Sequence, residues 1–441
     1  MNWVPISKLH RDKLKKLHKY CQKKSKKIKN INGVRVCFDS DFMIGKGCND
    51  TRVFIGLSED GNERAVKRLV KDTCGNLSLL KDTCENLSLH ENSVLNTSNA
   101  VNSKRIARCW FYDDESDNEY VYLVLDLCEE TLKEYIKKQN LENLTKEAPG
   151  IIRQMLEGLN DLHCGTKPIL HRDLKPSNIM RNVKGDWLLV DFGISQQLPH
   201  EKQERGTQVW RAVESYPTEN TTDIAYYKKQ SDIQAFAMVC FYLLTKGNHP
   251  FGTERDRLQN LLNGNPVGLD NLTDPVTKDL ISWMLQHNPK DRPYAHEALK
   301  HPYLQPTDQQ FELLDRVGNQ EEIKKKDSSC DVVNEINNHP LLFKSTWKSQ
   351  IPLPVLEHLY SYGKYPLAYG DEWSECLRLI RNTSQRWNDI PHPQVHCSIF
   401  EPQEYFLKVF PTLPDVVYRV IKRHSDWTRR KTLAKFFDDG K

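Results

Sequence analysis

Two short stretches carry side chains suited to moving a phosphoryl group. "ILHRDLKPSNIM" (Ile169–Met180) holds Asp173 and Asn178, and "LLVDFGIS" (Leu188–Ser195) holds Asp191. That chemistry needs a carboxylate to orient the attacking hydroxyl, and oxygen ligands to keep magnesium against the phosphates. Asp173 can serve as the first, and Asn178 and Asp191 as the second. Near the C-terminus, "LRLIRNTSQRWNDIP" (Leu377–Pro391) raises a different possibility. Trp373, Cys376, Leu377, Ile380 and Trp387 recur at helical spacing, which leaves Arg378, Arg381, Asn382 and Arg386 for the other face. By residue type alone, such a row is the solvated side of an amphipathic helix.

At this spacing the first two motifs resemble those of the eukaryotic protein kinases. Lys175, within "HRDLKPSN", follows the serine/threonine rather than the tyrosine pattern. The resemblance implies ATP and Mg²⁺ as cofactors, with Lys67 in "AVKR" reaching the α/β-phosphates. It also implies a glutamate partner for Lys67 on the next helix, Glu91 in "HENSVL", with Glu85 in "CENLSL" as the alternative. Gly45 and Gly47 in "IGKGCNDTRVF" match the glycine-rich loop that lets backbone approach phosphate; Asp50 stands where a third glycine is usual. Asp126 and Cys128 in "LVLDLCEETL" match the hinge that offers backbone groups to adenine, and Arg292 is matched to Glu214. Between Asp191 and Glu214 the only hydroxyl side chains are Ser195 and Thr207. Control through nucleotide binding or dimerisation is therefore expected over a loop-phosphate switch.

Behind "EALKHPYLQP", the pieces "YGDEWSECLRLIRNTSQRWNDIP" and "YFLKVFPTLPDVVYRVI" resemble the kinase-extension nuclease domain. Ribonuclease L and the inositol-requiring stress sensor of the unfolded protein response share that domain. The resemblance implies a helical domain, a back-to-back homodimer and metal-free cutting of RNA. Its site would be Tyr369, Arg381 and Asn382, with Arg386 where the family has histidine. A guanidinium stays charged and cannot act as the base that an imidazole can be. His392 and His396 lie close in sequence and read as structural histidines near proline turns. Two readings stand side by side. One is a serine/threonine kinase acting on a protein substrate or on itself, with a nuclease lacking its proton shuttle. The other is a nucleotide-gated dimeric pseudoenzyme that binds RNA or regulates a homologous ribonuclease.

The elements that must position these residues are legible in outline. A chain of 441 residues with 38% hydrophobic and 28% charged residues reads as two or three soluble domains. "VRVCFDSDFMI", "TRVFIGL" and "ERAVKRLV" alternate like strands, and helical periodicity dominates from Leu132 onward. A direct repeat, "KDTCGNLSLL" then "KDTCENLSLH", lengthens a loop or a helix start. The expected fold is α+β: a bilobal kinase over 36–304, then an all-α kinase-extension nuclease domain over 305–437. Residues 1–35, with eleven Lys/Arg and one acid before Asn30, read as a basic, disordered arm able to meet RNA, anionic lipid or an acidic partner. "FAMVCFYLL" is too short to cross a bilayer. Twelve scattered cysteines without a CxxC pair fit a reducing, cytoplasmic setting.

Overall fold

The computed structural model describes residues 3–47, 51–71, 84–193, 195–197, 209–216, 227–342, 346–360, 369–389 and 401–438. It divides into one unit of Met1–Leu272 with Ile281–Ala295, and a second of Thr273–Leu280 with His296–Lys441. The first unit opens with a helix, α1 (Arg11–Gln22), and then seven antiparallel strands: β1 (Ile28–Ile31), β2 (Val34–Cys37), β3 (Met43–Lys46), β4 (Arg52–Ser58), β5 (Glu63–Val70), β6 (Cys109–Asp113) and β7 (Tyr120–Asp126). They run in the order β1-β2-β4-β5-β7-β6, with β3 also pairing β4. Register sets Lys67 on β5 opposite Val53 on β4 and Leu123 on β7, in the middle of the sheet. The stretch read as one strand, "VRVCFDSDFMI", is broken by a 3₁₀ turn at Ser40–Phe42. The second copy of the repeat runs into α2 (Cys84–Leu95), while the first, after Lys71, lies outside the described residues.

The basic arm needs correction, because it is built into the lobe. Inside the charge run, Leu14, Leu17 and Cys21 fall on one face of α1 and bury against a cluster that includes Phe42, Ile55 and Leu57. Burying two leucines is worth about 2 kcal/mol each. The preceding segment is tied down by backbone N–H groups of Ile6 and Ser7 donating to Glu63, and of Lys8 and Leu9 donating to Glu129. A high positive charge density hid an apolar stripe that was sufficient to fold it.

Three short strands follow, β8 (Cys128–Thr131), β9 (Ile179–Asn182) and β10 (Trp187–Leu189), in the order β10-β9-β8. The rest of the first unit is mainly helical. Asn140 caps α3 (Leu141–His163) by accepting the Asn143 N–H. Helix α4 (Lys229–Leu244) is apolar nearly all round and is buried accordingly. No helix among the described residues is long and apolar enough to cross a membrane. In the second unit α5 (Thr307–Gly318), α6 (Trp373–Arg386) and α7 (Leu413–Lys422) share one core with Trp347, Leu377, Ile380 and Val416. Gly318 lets α5 approach α6 closely, since any Cβ there would run into the Leu377 carbonyl.

Candidate active sites

In the first unit, Lys67 Nζ lies 2.6 Å from Glu91 Oε2 and 3.1 Å from Asp191 Oδ1. Glu91 thus takes the position for which Glu85 was the alternative; the Glu85 side chain lies outside the described ones. Burial opposes the Lys67 charge, but Asp191 and Glu91 outweigh it and hold its pKa above the ordinary value. Lys67 in turn is the main cause holding Asp191 below the usual carboxylate range. Asp191 and Arg172 both adopt left-handed backbone, φ 68° and 67°. Non-glycine residues accept that conformation only where their surroundings enforce it.

Lys175 Nζ lies 2.6 Å from Asp173 Oδ2, and Asn178 Nδ2 donates to the same oxygen and to the Asp173 carbonyl, both at 2.9 Å. With its nitrogen so engaged, the Asn178 amide has Oδ1 as the atom that can meet a cation. Asp191 adds a second oxygen donor. An all-oxygen donor set suits magnesium. The loop beneath is pinned by Asp232, fully buried on α4. It accepts the N–H groups of His171 (2.8 Å) and Arg172 (2.9 Å) and the imidazole of His163 (2.9 Å). Burial works against the Asp232 charge, yet the His163 hydrogen bond, the imidazoles of His163 and His171 and the Arg172 N–H keep its pKa low. Sequence reasoning passed over Asp232; its signal was a lone acid entering the apolar run "SDIQAFAMVCFYLL".

Gly45 sits on β3, and Gly47 donates its N–H to the Thr51 carbonyl at 2.8 Å. A Cβ on Gly47 would crowd the Thr51 side chain, whereas one on Gly45 would make ordinary contact with Val53. Asp50 and Thr207 lie outside the described residues. At the hinge, the Asp126 carboxylate accepts the Trp110 indole N–H at 2.7 Å, and the Asp126 N–H donates to the Arg108 carbonyl. The Cys128 carbonyl takes a hydrogen bond from His10 Nε2 at 3.2 Å, a partner the sequence did not announce. Arg292 grips Glu214 with both terminal nitrogens, at 2.7 and 3.0 Å, as expected.

In the second unit, α6 does not present all its polar residues to solvent. Asn382 is buried and donates its Nδ2 to the Tyr369 hydroxyl at 2.8 Å, while its Oδ1 accepts from Arg381 Nη1 at 2.7 Å. Arg381 is steadied from α5's end by Asn319 Oδ1, 3.0 Å from its Nε. Arg378 lies over the Tyr369 ring, 4.8 Å from its centroid, and pairs with Glu375 at 3.1 Å. Buried Glu375 also accepts the Gly370 N–H and lies 3.2 Å from Lys326. Burial raises the Tyr369 pKa, opposed by the Asn382 hydrogen bond and by Arg378 and Arg386. Arg386 itself is exposed, and among the described residues no carboxylate pairs with it. His392 and His396 lie outside the described residues. Glu375 escaped the sequence reading, although its i,i+3 spacing to Arg378 was visible.

Residues 38–304, more than half of the chain, match the family model described as protein kinase domain. The chain belongs to the protein kinase family. Behind the kinase match, residues 310–437 match a second model, Ribonuclease 2-5A. The serine/threonine-protein kinase/endoribonuclease ire-1 of Caenorhabditis elegans is 26% identical over 428 residues, covering 92% of this chain and 41% of that protein. The serine/threonine-protein kinase/endoribonuclease IRE2 of Homo sapiens is also 26% identical, over 81% of this chain and 38% of its own length. The sensor for unfolded proteins in the ER ire1 of Schizosaccharomyces pombe gives 26%, over 86% and 37%. This kinase-family chain therefore spans about two fifths of the length of those relatives. Both resemblances drawn from its motifs are met by these matches.

Proposed function

We propose that the chain is an ATP- and Mg²⁺-dependent serine/threonine kinase, acting on a protein substrate or on another copy of itself. What carries this reading is the convergence of Lys67, Glu91 and Asp191 beside the Asp173–Lys175–Asn178 set. Glu91 holds Lys67 extended towards the α/β-phosphates. Asp173 accepts the proton of the attacking hydroxyl, and Lys175 steadies both that carboxylate and the charge on the transferred group. Asn178 and Asp191 would hold magnesium, which neutralises phosphate charge when bound. Asp173→Asn is expected to lower ATP turnover by roughly 10²–10⁴-fold. Unchanged turnover in that variant would remove the kinase assignment and leave the nucleotide-gated pseudoenzyme.

For the second unit, the reading supported best is an RNA-phosphate pocket with little cleavage of its own. Tyr369, Arg381 and Asn382 are locked together by hydrogen bonds, and Arg386 offers charge at their rim without a base. RNA cleavage by the wild type, with ATP or ADP present, tests it directly. Brisk cutting would overturn it.

A further inference from the structure

Helix α1 has a second face that the fold leaves unused. Its apolar side is spent on the sheet, and Lys16 and Lys27 pair with Asp41 and Asp39 at 2.6 and 2.7 Å. Arg11, Lys15, Lys19 and Lys23, spaced four apart, are exposed, and among the described residues no carboxylate pairs with them. At about 100° per residue they form one stripe along the side opposite the buried leucines. The segment before the helix folds back beside it, because the Trp3 ring lies 5.2 Å from that of His18. On the helix, His18 adjoins Arg11 and Lys15. That segment carries Val4, Ile6 and Leu9, which are 75%, 49% and 53% exposed. Aliphatic side chains held out in water beside an unneutralised basic stripe call for a partner that rewards both.

From these features we infer that the outer face of α1, with Val4, Ile6 and Leu9, docks on an anionic lipid surface. The lysines and the arginine meet headgroup phosphates and carboxylates, while the aliphatic residues enter the boundary between headgroups and acyl chains. Single-stranded RNA fits less well, since it is gripped by aromatic rings that stack on bases. The two nearest aromatic residues are turned to other work. Trp3 donates its indole N–H to Glu63 at 3.0 Å, and Tyr20 packs edge-on against Phe42. The docking face is also rooted at the nucleotide hinge, through His10 on the Cys128 carbonyl and Glu129 on the N–H groups of Lys8 and Leu9.

The test is co-sedimentation of the whole chain with vesicles of phosphatidylcholine alone, and of phosphatidylcholine with about one third phosphatidylserine. Binding is expected only to the second, and is expected to fade as salt rises. Lys15→Glu, Lys19→Glu and Lys23→Glu together should weaken it about a hundredfold, and Val4→Ser with Leu9→Ser should weaken it about tenfold. All five side chains are exposed, so thermal unfolding should be unaltered in both variants. The contrast between the two vesicles needs no variant at all. Equal binding to both vesicles would overturn the inference, as would full binding by the charge-reversed variant. Binding of single-stranded RNA through the same lysines, without vesicle binding, would assign the face to RNA and overturn it too.

Discussion

The cleavage chemistry proposed for the second unit turns on Arg386. One helical turn earlier, Asn382 is buried on the Tyr369 hydroxyl, and Arg386 would bring that group a fixed charge but no base. Arg386→His restores a group that titrates near neutrality and both takes and gives a proton. RNA cleavage in single-turnover assays is expected to rise by at least about 10²-fold. An unchanged rate would mean the missing base is not what limits the pocket. Glu375 is the site's hidden support. Glu375→Gln leaves Lys326 and Arg378 facing a neutral amide, and is expected to cost about 3 kcal/mol in urea unfolding. By residue type alone the arginines of α6 read as a solvated face, and only the family resemblance drew Arg381 and Arg386 into a site with Tyr369 and Asn382. Helical spacing separates two faces; it does not show that Glu375 and Asn382, on the face away from the apolar stripe, are buried as well. The phosphoryl-transfer residues were easier to read, because loop chemistry compresses Asp173, Lys175 and Asn178 into one short motif.

At the scale of elements, Gly318 is what lets α5 approach α6 closely. Gly318→Ala should cost about 2 kcal/mol through overpacking, and should loosen the Asn319 hold on Arg381; circular dichroism melts and RNA affinity would both register it. A second liability lies on α7. Asp415 is fully buried, and among the described residues neither of its oxygens takes a well-formed hydrogen bond. Its neighbours are His301 Nε2 at 3.3 Å and Arg419 at 3.6 Å, with Asp279 close to both of these. Burial, then Asp279, pushes its pKa up to about 8. A folded-state pKa above the unfolded value means the native state binds the extra proton. Stability is therefore fully present at acid pH and declines as pH rises from about 4 towards 8. Asp415→Asn should flatten that decline and add on the order of 2 kcal/mol at neutral pH; a pH series of denaturant midpoints would show it. None of this was legible from "FPTLPDVVY", where no residue type or spacing marks Asp415 as buried. Helix α1 was misread for the opposite reason: its charges were counted before its periodicity.

For the whole molecule, the strand and helix order was legible because alternation gives way to helical spacing near Leu132, and the motifs name the cleft. The division of the chain was less so. Thr273–Leu280 belongs with the C-terminal unit, although it precedes the last stretch of the first, and no composition shift marks it. All the residues assigned to the nucleotide, from Gly45 to Asp191, lie in the first unit, and the second has a core of its own. Calorimetry should therefore resolve two transitions. ATP with Mg²⁺ at a hundredfold excess over its dissociation constant should stabilise the first unit by about 2.7 kcal/mol if that unit binds it as proposed. For a unit of this size that is a rise of roughly 4–5 °C. The second transition should stay where it is, and Lys67→Met should abolish the rise. A rise that is the same in Lys67→Met, or that appears in the second transition alone, would mean the nucleotide binds somewhere other than the cleft built around Lys67, Glu91 and Asp191.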